Sequence, residues 1–143
     1  MKLENKEFGF ERFANEMAKL KKEQHFDYLV TIVGEDFGTE EGLGCIYILE
    51  NTQTHERCSV KQLAKQVEQE YVIPTVCNLW ADADLLEREV YDFFGIKFLG
   101  HPDMRRLFLR NDFVGYPLRK DYDTDPAKNM YTTEDDIAQQ NGT

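Results

Sequence analysis

Cysteine is scarce in this chain of 143 residues, which contains only Cys45, Cys58 and Cys77. An odd, widely spaced set does not suit the disulfide framework of a small secreted domain. We therefore expect reduced thiols and a cytoplasmic location, while a hairpin that brings Cys45 opposite Cys58 stays open. Three scattered thiols are also too few for an iron–sulfur cluster, which takes about four.

Long apolar runs are missing as well. No stretch approaches the roughly 18 consecutive apolar residues that a membrane-spanning helix requires. The longest, such as Cys45–Leu49, have the length of a strand. The first residues mix charges and contain no apolar core of a signal peptide. We expect the protein to remain in the compartment where it is made, without direct insertion into a membrane.

Motifs that bind metals or nucleotides are also absent. The cysteines and His25, His55 and His101 show no spacing that brings several ligands onto one element. No Gly-x-Gly-x-x-Gly or Gly-Lys-Ser/Thr loop is present. Basic residues number 17 against 27 acidic ones, and the net charge of −10 disfavours binding to nucleic-acid phosphates. The sequence predicts no metal, no bound cofactor and no nucleic-acid partner.

The first half of the sequence predicts one amphipathic helix and three strands. Apolar residues recur at helical spacing over residues 8–23. Residues 25–33 then alternate, which predicts a strand with every second residue from Phe26 to Ile32 on one face. Cys45–Leu49 predicts a second strand, and a turn leads from it into a third strand over residues 54–60.

The next segment predicts two further helices separated by an edge strand. Residues 61–70 carry apolar side chains on one helical face, and residues 76–80 predict the strand. Asp84 and Glu87 fit the capping box of a second helix, which Gly95 ends in the left-handed conformation. The predicted fold class is α+β, an α/β sandwich-like arrangement of a small, mostly antiparallel sheet with amphipathic helices packed on it.

Residues 97–123 predict an extended, irregular docking arm. Glycine and proline interrupt both periodicities, and residues 97–120 carry a net charge of +4 between acidic flanks. Apolar and basic residues alternate irregularly there, as in a surface that docks on a partner. The apolar anchors are Phe98, Leu107, Phe108 and Phe113. The predicted organisation is an α/β core domain over residues 1–96, this arm, and a polar, flexible tail over residues 124–143.

The charged residues of the second predicted helix have a structural explanation that needs no substrate. Asp84, Arg88 and Asp92 follow one another at intervals of four and form stabilising pairs on one helix face. The alternative is a small free-standing enzyme or binding module that uses Glu89, Asp92 and His101. That alternative requires a pocket that joins the three side chains.

A longer stretch of mixed residue types resembles a known family. The sequence EREVYDFFGIKFLGHPDMRRL of residues 87–107, with NLW at 78–80 and GYPLRKDY at 115–122, is similar to the motif of the C-type subunit of NADH–quinone oxidoreductase, the respiratory complex I. A short subunit of energy-converting, membrane-bound hydrogenases is similar too. Ala81–Leu85 lacks the Pro-Gly and second Trp that often precede this motif. The branch of the family, and with it NADH, ferredoxin or hydrogen as electron donor, therefore stays open.

The resemblance implies a non-catalytic structural subunit in the peripheral arm of a complex I-like oxidoreductase, on the cytoplasmic side of the cell membrane. It implies docking on the large, D-type subunit near the iron–sulfur, B-type subunit, and support of electron transfer coupled to ion pumping. It assigns the protein no catalytic, cofactor-binding or metal-binding residue. The residues that it marks for partner docking or for bracing the arm are Glu87, Arg88, Glu89, Asp92, His101, Arg105, Arg106, Arg119, Lys120 and Asp121.

Overall fold

A computed structural model describes residues 3–105 and 115–122 of the protein. These residues combine two helices with two small sheets, so the α+β fold class is confirmed. In sequence order the elements are β1 (Leu3–Glu7), α1 (Phe10–Lys22), β2 (Tyr28–Asp36), β3 (Leu43–Glu50), β4 (Arg57–Leu63), β5 (Lys65–Val67), β6 (Glu70–Pro74), α2 (Ala83–Phe94) and β7 (Ile96–Leu99).

The larger sheet has the strand order β1-β4-β3-β2. β2 and β3 pair antiparallel, as do β3 and β4, whereas β1 pairs in parallel with β4. The sequence did not predict β1, because charged residues outnumber apolar ones in it. β1 lies at the edge of the sheet, where charged residues discourage pairing with another polypeptide.

β2 starts three residues later than predicted and changes face within its length. Leu29 and Ile32 are buried, whereas Tyr28 is 44% exposed. The pairing with β3 shifts register between Leu29 and Thr31, so Val30 lies in a β-bulge. One extra residue reverses the alternation of a strand. The prediction that Tyr28 and Val30 share one face with Ile32 was therefore wrong.

α1 covers the inner face of the larger sheet, and the helix predicted over residues 8–23 is confirmed. Its buried side chains are Phe13, Met17 and Leu20. The ring of Phe13 packs 5.3 Å from that of Tyr47 in β3. Burying one such side chain contributes roughly 1.5–3 kcal/mol. Within the described residues, neither helix is long and apolar enough to cross a membrane.

A second sheet of order β5-β6-β7 replaces the helix predicted over residues 61–70. β5 and β6 form an antiparallel hairpin, and β6 pairs in parallel with β7. The helix prediction was wrong because the apolar residues divide between two strands, with Leu63 in β4 and Val67 in β5. Glu68 turns the hairpin with a φ of 58°. No Asn-Gly or Asp-Gly pair marks this turn in the sequence.

The segment between β6 and α2 is a turn, where an edge strand was predicted. Leu79 and Trp80 donate their backbone N–H groups to the carbonyl of Val76 at 3.0 and 2.9 Å. The indole Nε1 of Trp80 donates to the carbonyl of Phe26 at 3.1 Å. Lys21 donates to the carbonyl of Leu79. These long-range bonds hold the entry of α2 against α1 and the start of β2.

Gly95 ends α2 as predicted, with a φ of 77° and an N–H that donates to the carbonyl of Tyr91 at 2.8 Å. β7 follows directly, so residues 97–99 of the predicted arm lie in a strand, where an irregular segment was predicted. Phe98 was predicted as an anchor for a partner, but it is only 3% exposed and packs in the core, so that prediction was wrong. The division into core, arm and tail stays a prediction, and residues 124–143 lie outside the described residues.

The cysteines do not form the cross-strand pair that the sequence left open. In the register of β3 and β4, Cys45 pairs with Gln62 and Cys58 with Leu49. Cys45, Cys58 and Cys77 are free thiols in the structure. A disulfide requires Cα atoms within about 7 Å. The two buried cysteines are therefore offset along the hairpin and remain separate thiols.

Candidate functional site

Several of the predicted site residues lie at the two ends of α2, and the N-terminal end is built around Glu87. The Glu87 side chain is fully buried. One carboxylate oxygen accepts a hydrogen bond from the Thr75 hydroxyl at 2.5 Å, and the other accepts the Val76 N–H at 2.9 Å. The Cys77 thiol lies 3.3 Å from the first oxygen. A buried carboxylate with three donors holds α2 against the segment that precedes it.

Burial governs the acid–base state of these groups. It raises the pKa of Glu87 above its ordinary value, and the hydrogen bonds from Thr75 and Val76 offset this only in part. Burial also raises the pKa of the Cys77 thiol to about 11. Cys77 is therefore protonated at neutral pH, where it acts as a donor and not as a nucleophile.

The predicted capping box was wrong. Asp82 occupies the N-cap position of α2, and its side chain forms no capping hydrogen bond there. Asp84 lies in the first turn, and Glu87 points into the core. The buried donors at Thr75 and Val76 have no water to bond, so the carboxylate satisfies them in preference to the exposed N-terminus.

His101 fastens the start of the arm to the first turn of α2. Its side chain is fully buried, and Nε2 lies 3.0 Å from the carbonyl oxygen of Asp84. Nδ1 accepts the N–H of Asp103 at 2.9 Å. Because Nδ1 accepts a hydrogen bond here, the proton of the neutral ring resides on Nε2. Oδ1 of Asp84 is 3.1 Å from Nε2 but forms no hydrogen bond of its own.

Cys77, Glu87 and His101 bring three potential metal-ligand atoms within 4.8 Å of one another. Their separation in sequence gave no metal motif, and the cluster was not predicted. A metal ligand offers a free lone pair, as a thiolate or an unprotonated imidazole nitrogen. Here the thiol is protonated, the carboxylate accepts three bonds and both imidazole nitrogens are engaged. The arrangement is a hydrogen-bonded cluster, and the absence of a metal site stays a prediction.

Arg88 and Arg105 connect α2 to the exposed start of the arm. Arg88 Nε lies 3.4 Å from the carbonyl oxygen of Arg105, which is a long hydrogen bond. The Arg105 guanidinium makes two contacts of 2.8 Å with the carboxylate of Asp103. The hydrogen bond from Arg105 lowers the pKa of Asp103. Arg106 lies outside the described residues, as do the predicted anchors Leu107, Phe108 and Phe113.

The C-terminal end of α2 is covered by residues 115–122, which we call the latch. The N–H of Leu118 donates to the carbonyl of Phe93 at 3.1 Å. Nε of Arg119 donates to the carbonyl of Phe94 at 2.5 Å. These bonds satisfy two carbonyls that a helix end leaves without an intrahelical partner, and a cation there is favourable to the helix dipole. The N–H of Lys120 donates to the carboxylate of Asp36 at 2.9 Å.

Tyrosine rings surround Arg119 in the latch. Its guanidinium carbon lies 4.6 Å from the ring centre of Tyr116 and 5.4 Å from that of Tyr71. The rings of Tyr91 and Tyr116 are 6.2 Å apart. A Cβ on Gly95 would lie 2.6 Å from Nη2 of Arg119 and 2.6 Å from the ring of Tyr116. Gly95 thus serves two purposes, the left-handed turn and the close approach of the latch.

The remaining predicted residues do not form one pocket. Glu89 is exposed and Asp92 is fully buried, while His101 contacts the first turn of the helix. Asp92 follows Asp84 by eight residues, or about 12 Å along a helix axis. The enzyme or binding module based on Glu89, Asp92 and His101 therefore gains no support from their arrangement. Lys120 and Asp121 are exposed.

Sequence reasoning missed the residues that complete both ends of α2. Thr75 and Cys77 precede the helix, and no local pattern marks them as donors to Glu87. Tyr71 comes from β6, which follows directly on the segment that was predicted as a helix. Tyr116 lies inside the family motif, which was a usable signal. The others become visible only when separate elements meet.

Three known proteins are similar to this chain over most of its length. The fused C/D subunit of the NADH-quinone oxidoreductase of Phocaeicola vulgatus is 47% identical over 131 residues, or 92% of this chain and 25% of that protein. The present protein thus spans about a quarter of this fused relative. The solved structure of the trypsin-resistant fragment (1-134) of Nqo5 matches with a TM-score of 0.62 and 37% identity, over 69% of this chain and 82% of the fragment.

The third is a polypeptide of the membrane-bound sulfane sulfur reductase, an archaeal respiratory membrane complex. It matches with a TM-score of 0.73 and 21% identity, over 98% of this chain and 79% of that one. At this identity the likeness concerns the fold alone. The family model for the 30 kDa subunit of the respiratory-chain NADH dehydrogenase matches residues 10–128. This confirms the resemblance drawn from the motif, and the protein belongs to the family of the 30 kDa subunit of the respiratory-chain NADH dehydrogenase.

Proposed function

We propose that the protein is a non-catalytic structural subunit in the peripheral arm of a complex I-like, membrane-bound oxidoreductase. In this proposal it docks on the large, D-type subunit and lies near the iron–sulfur, B-type subunit, on the cytoplasmic side of the membrane. It supports electron transfer and coupled ion pumping by holding the redox subunits in position. The parent complex is of the NADH–quinone type or a related energy-converting hydrogenase.

The extent of the two structural matches carries this proposal. The match to an isolated, trypsin-resistant fragment of Nqo5 covers 69% of this chain. The match to a polypeptide from an assembled respiratory membrane complex covers 98%. Nearly the whole protein therefore has a structural counterpart inside such a complex. This supports a place for the protein in a respiratory membrane complex.

The contacts at both ends of α2 explain how the arm is prepared for docking. His101 and Asp103 fix its beginning against Asp84, and the latch fixes its return at Phe93 and Phe94. A segment whose two ends are already fixed loses less conformational entropy when a partner binds it. Between the two fixed ends the sequence contains the basic residue and apolar anchors of the predicted arm, namely Arg106, Leu107, Phe108 and Phe113. Arginine and phenylalanine are suited to bind carbonyl or acidic groups and apolar pockets of a partner.

The partner assignment rests on the fused relative. In Phocaeicola vulgatus one protein is named for both C and D. Two subunits that are fused in one species and separate in others are expected to be neighbours in the assembly. The large, D-type subunit is therefore the first partner to test, and the B-type subunit is proposed from the family resemblance alone.

Charge reversal of the arm tests the proposal. The double variant Arg105→Glu and Arg106→Glu, tagged and expressed in its host, is expected to recover at least about tenfold less D-type subunit from detergent-solubilised membranes, a change of about 1.4 kcal/mol in binding. Isolated, it should unfold at the same temperature as the wild type. The matched control is Arg12→Glu with Lys19→Glu on α1, where both side chains are more than half exposed. Normal assembly of the arm variant would contradict the docking role.

A further inference from the structure

We infer that the free edge of β2 over residues 31–36 is a strand-addition site. Its occupant is an extended segment of a different polypeptide, one that combines apolar residues with lysine or arginine. Such a segment extends the larger sheet by one strand beyond β2. The inference rests on the proposed function only for the presence of partner polypeptides. It assigns a surface and a binding mode that the arm does not provide.

The edge of β2 is unpaired in the part of the chain that the structure describes. β2 is the last strand of the larger sheet, and it pairs there with β3 alone. Among residues 3–105 and 115–122, the backbone of residues 28–36 forms no hydrogen bond outside that pairing. An edge strand directs alternate N–H and C=O groups away from its sheet. β2 therefore presents a row of donors and acceptors to which a further strand can bind.

The other three edge strands of the described sheets are short, and each contains a lysine. β1 has five residues with Lys6, β5 has three with Lys65, and β7 has four with Lys97. β2 has nine residues and contains no lysine, arginine or proline. Short length, lysine and proline are features that discourage the pairing of an edge with another polypeptide. β2 is therefore the edge that is open to a further strand.

The bulge at Val30 leaves the second part of β2 regular. A bulge can protect an edge by twisting it, but this bulge precedes the stretch in question. From Thr31 to Asp36 the register with β3 runs without a shift. Within this stretch the side chain of Val33 is 49% exposed. An added strand thus covers an apolar side chain in addition to bonding the backbone.

The backbone of this stretch is already fixed by the fold. Ile32 is buried in the core on the inner face of the sheet. Gly34 packs so closely against α2 that a Cβ there would lie 2.5 Å from the Phe94 ring and 3.1 Å from Val90. A strand that is fixed on one face loses little conformational freedom when its edge is bound.

The charge at the end of β2 favours a basic partner segment. Glu35 is exposed and follows Val33 by two residues, so the two side chains share a face of the strand. Asp36 comes next, and Lys120 bonds its carboxylate through a backbone N–H and adds one cation to this end. The end stays net acidic. Because opposite charges on paired strands attract, a lysine or arginine of the partner belongs opposite Glu35.

A second copy of this chain fits the same edge poorly. Two β2 strands paired over residues 31–36 bring two copies of Glu35 and two of Asp36 into one short ladder. Like charges on paired strands repel each other. Each chain also carries a net charge of −10. The occupant is therefore a different polypeptide.

Hydrogen–deuterium exchange tests the inference. The tagged wild type is purified with its complex from solubilised host membranes and compared with the isolated chain. Peptides from residues 28–36 are expected to exchange at least about tenfold more slowly in the complex, because the outward N–H groups become bonded.

Variants at Val33 test whether the edge itself is responsible. Val33→Lys places a lysine on β2, as on the other three edges, and should bring exchange in the complex to within about threefold of the isolated chain. The matched control is Val67→Lys on β5, where the valine is 45% exposed, and it should keep the wild-type protection of β2. Val33→Thr retains a β-branched residue and should keep it too. Each isolated variant is checked for an unchanged unfolding midpoint.

Glu35→Lys tests the charge of the occupant. It should also reduce the protection of β2 in the complex, since the new lysine faces the basic residue of the partner. Stronger protection in this variant would refute a basic partner segment.

Equal exchange of residues 28–36 in the isolated wild type and in an intact complex would overturn the inference and leave the proposed function in place. A wild type that recovers no other subunit would instead overturn the proposed function. An isolated wild type that sediments as a dimer, and as a monomer after Val33→Lys, would show a second copy on the edge and refute the choice of occupant.

Discussion

The two ends of α2 are held by different chemistry: a buried carboxylate binds the preceding segment at the N-terminal end, and an arginine binds a helix carbonyl at the C-terminal end. At the N-terminal end, Glu87 and His101 are fully buried and bond only to their own polypeptide. At the C-terminal end, Arg119 and its tyrosines are half-buried and Leu118 is exposed. At the first end, these two side chains are shielded from water. The second remains accessible after its backbone groups are satisfied.

This difference separates residues that maintain the fold from residues that are available for contact. A buried carboxylate is tolerated only while every donor stays in place, so the N-terminal end has little freedom to bind anything else. The latch contributes modest bonds to the helix end and leaves apolar and aromatic surface exposed. Three variants test whether this division is correct.

Glu87→Ala should have the largest effect on stability. It leaves the Val76 N–H and the Thr75 hydroxyl without an acceptor and opens a void, so the free energy of unfolding should fall by about 3 kcal/mol. Urea denaturation followed by circular dichroism measures it. The control is Glu89→Ala on the same helix, which is exposed and should change stability by less than about 0.5 kcal/mol. Similar losses of stability in both variants would contradict the conclusion that Glu87 at the N-terminal end maintains the fold.

Gly95→Ala should have a smaller effect that acts on the latch. A φ of 77° costs a residue with a Cβ about 1–2 kcal/mol, and the new Cβ displaces the side chains of Arg119 and Tyr116. Trypsin should then cleave after Arg119 in the latch faster than in the wild type. Gly9→Ser is the control, because Gly9 has a φ of −67° at an N-cap that serine favours. Unchanged cleavage in Gly95→Ala would show that the latch does not require the close packing of Arg119 and Tyr116 against Gly95.

The pH dependence of stability should give the smallest effect. Glu87 has a raised pKa in the folded state, so the unfolded protein loses this proton first as the pH rises above the ordinary value of 4.5. Ionisation therefore favours unfolding between 4.5 and the raised pKa. The wild type should lose stability relative to Glu87→Gln as the pH rises through this window, and the difference should then level off. Urea midpoints from about pH 4 to about pH 8 measure it, and a difference of opposite sign would refute the burial argument.

Much of the local structure follows from short-range patterns. α1 was predicted because its apolar residues follow one helical face, and Gly95 because a left-handed helix end favours glycine. The hairpin of β3 and β4 was predicted from an apolar run of strand length and the turn that follows it at residues 51–53. The bulge at Val30 and the turn at Glu68 were not, since neither position carries a residue that demands its conformation. β1 was missed because charged residues outnumber apolar ones in it. Its strand conformation depends on the pairing with β4.

The sequence by itself determined the fold class, the family and the motif residues that mark α2 and its surroundings, because these depend on residue order along the polypeptide. Only the tertiary structure decided what each of those residues does. Glu87 became buried because donors from the segment before α2 meet it there, and Arg119 turned toward Phe94 because the polypeptide returns across the helix end. Contacts between segments that are distant in sequence form only when the chain folds, so a local sequence pattern does not predict them.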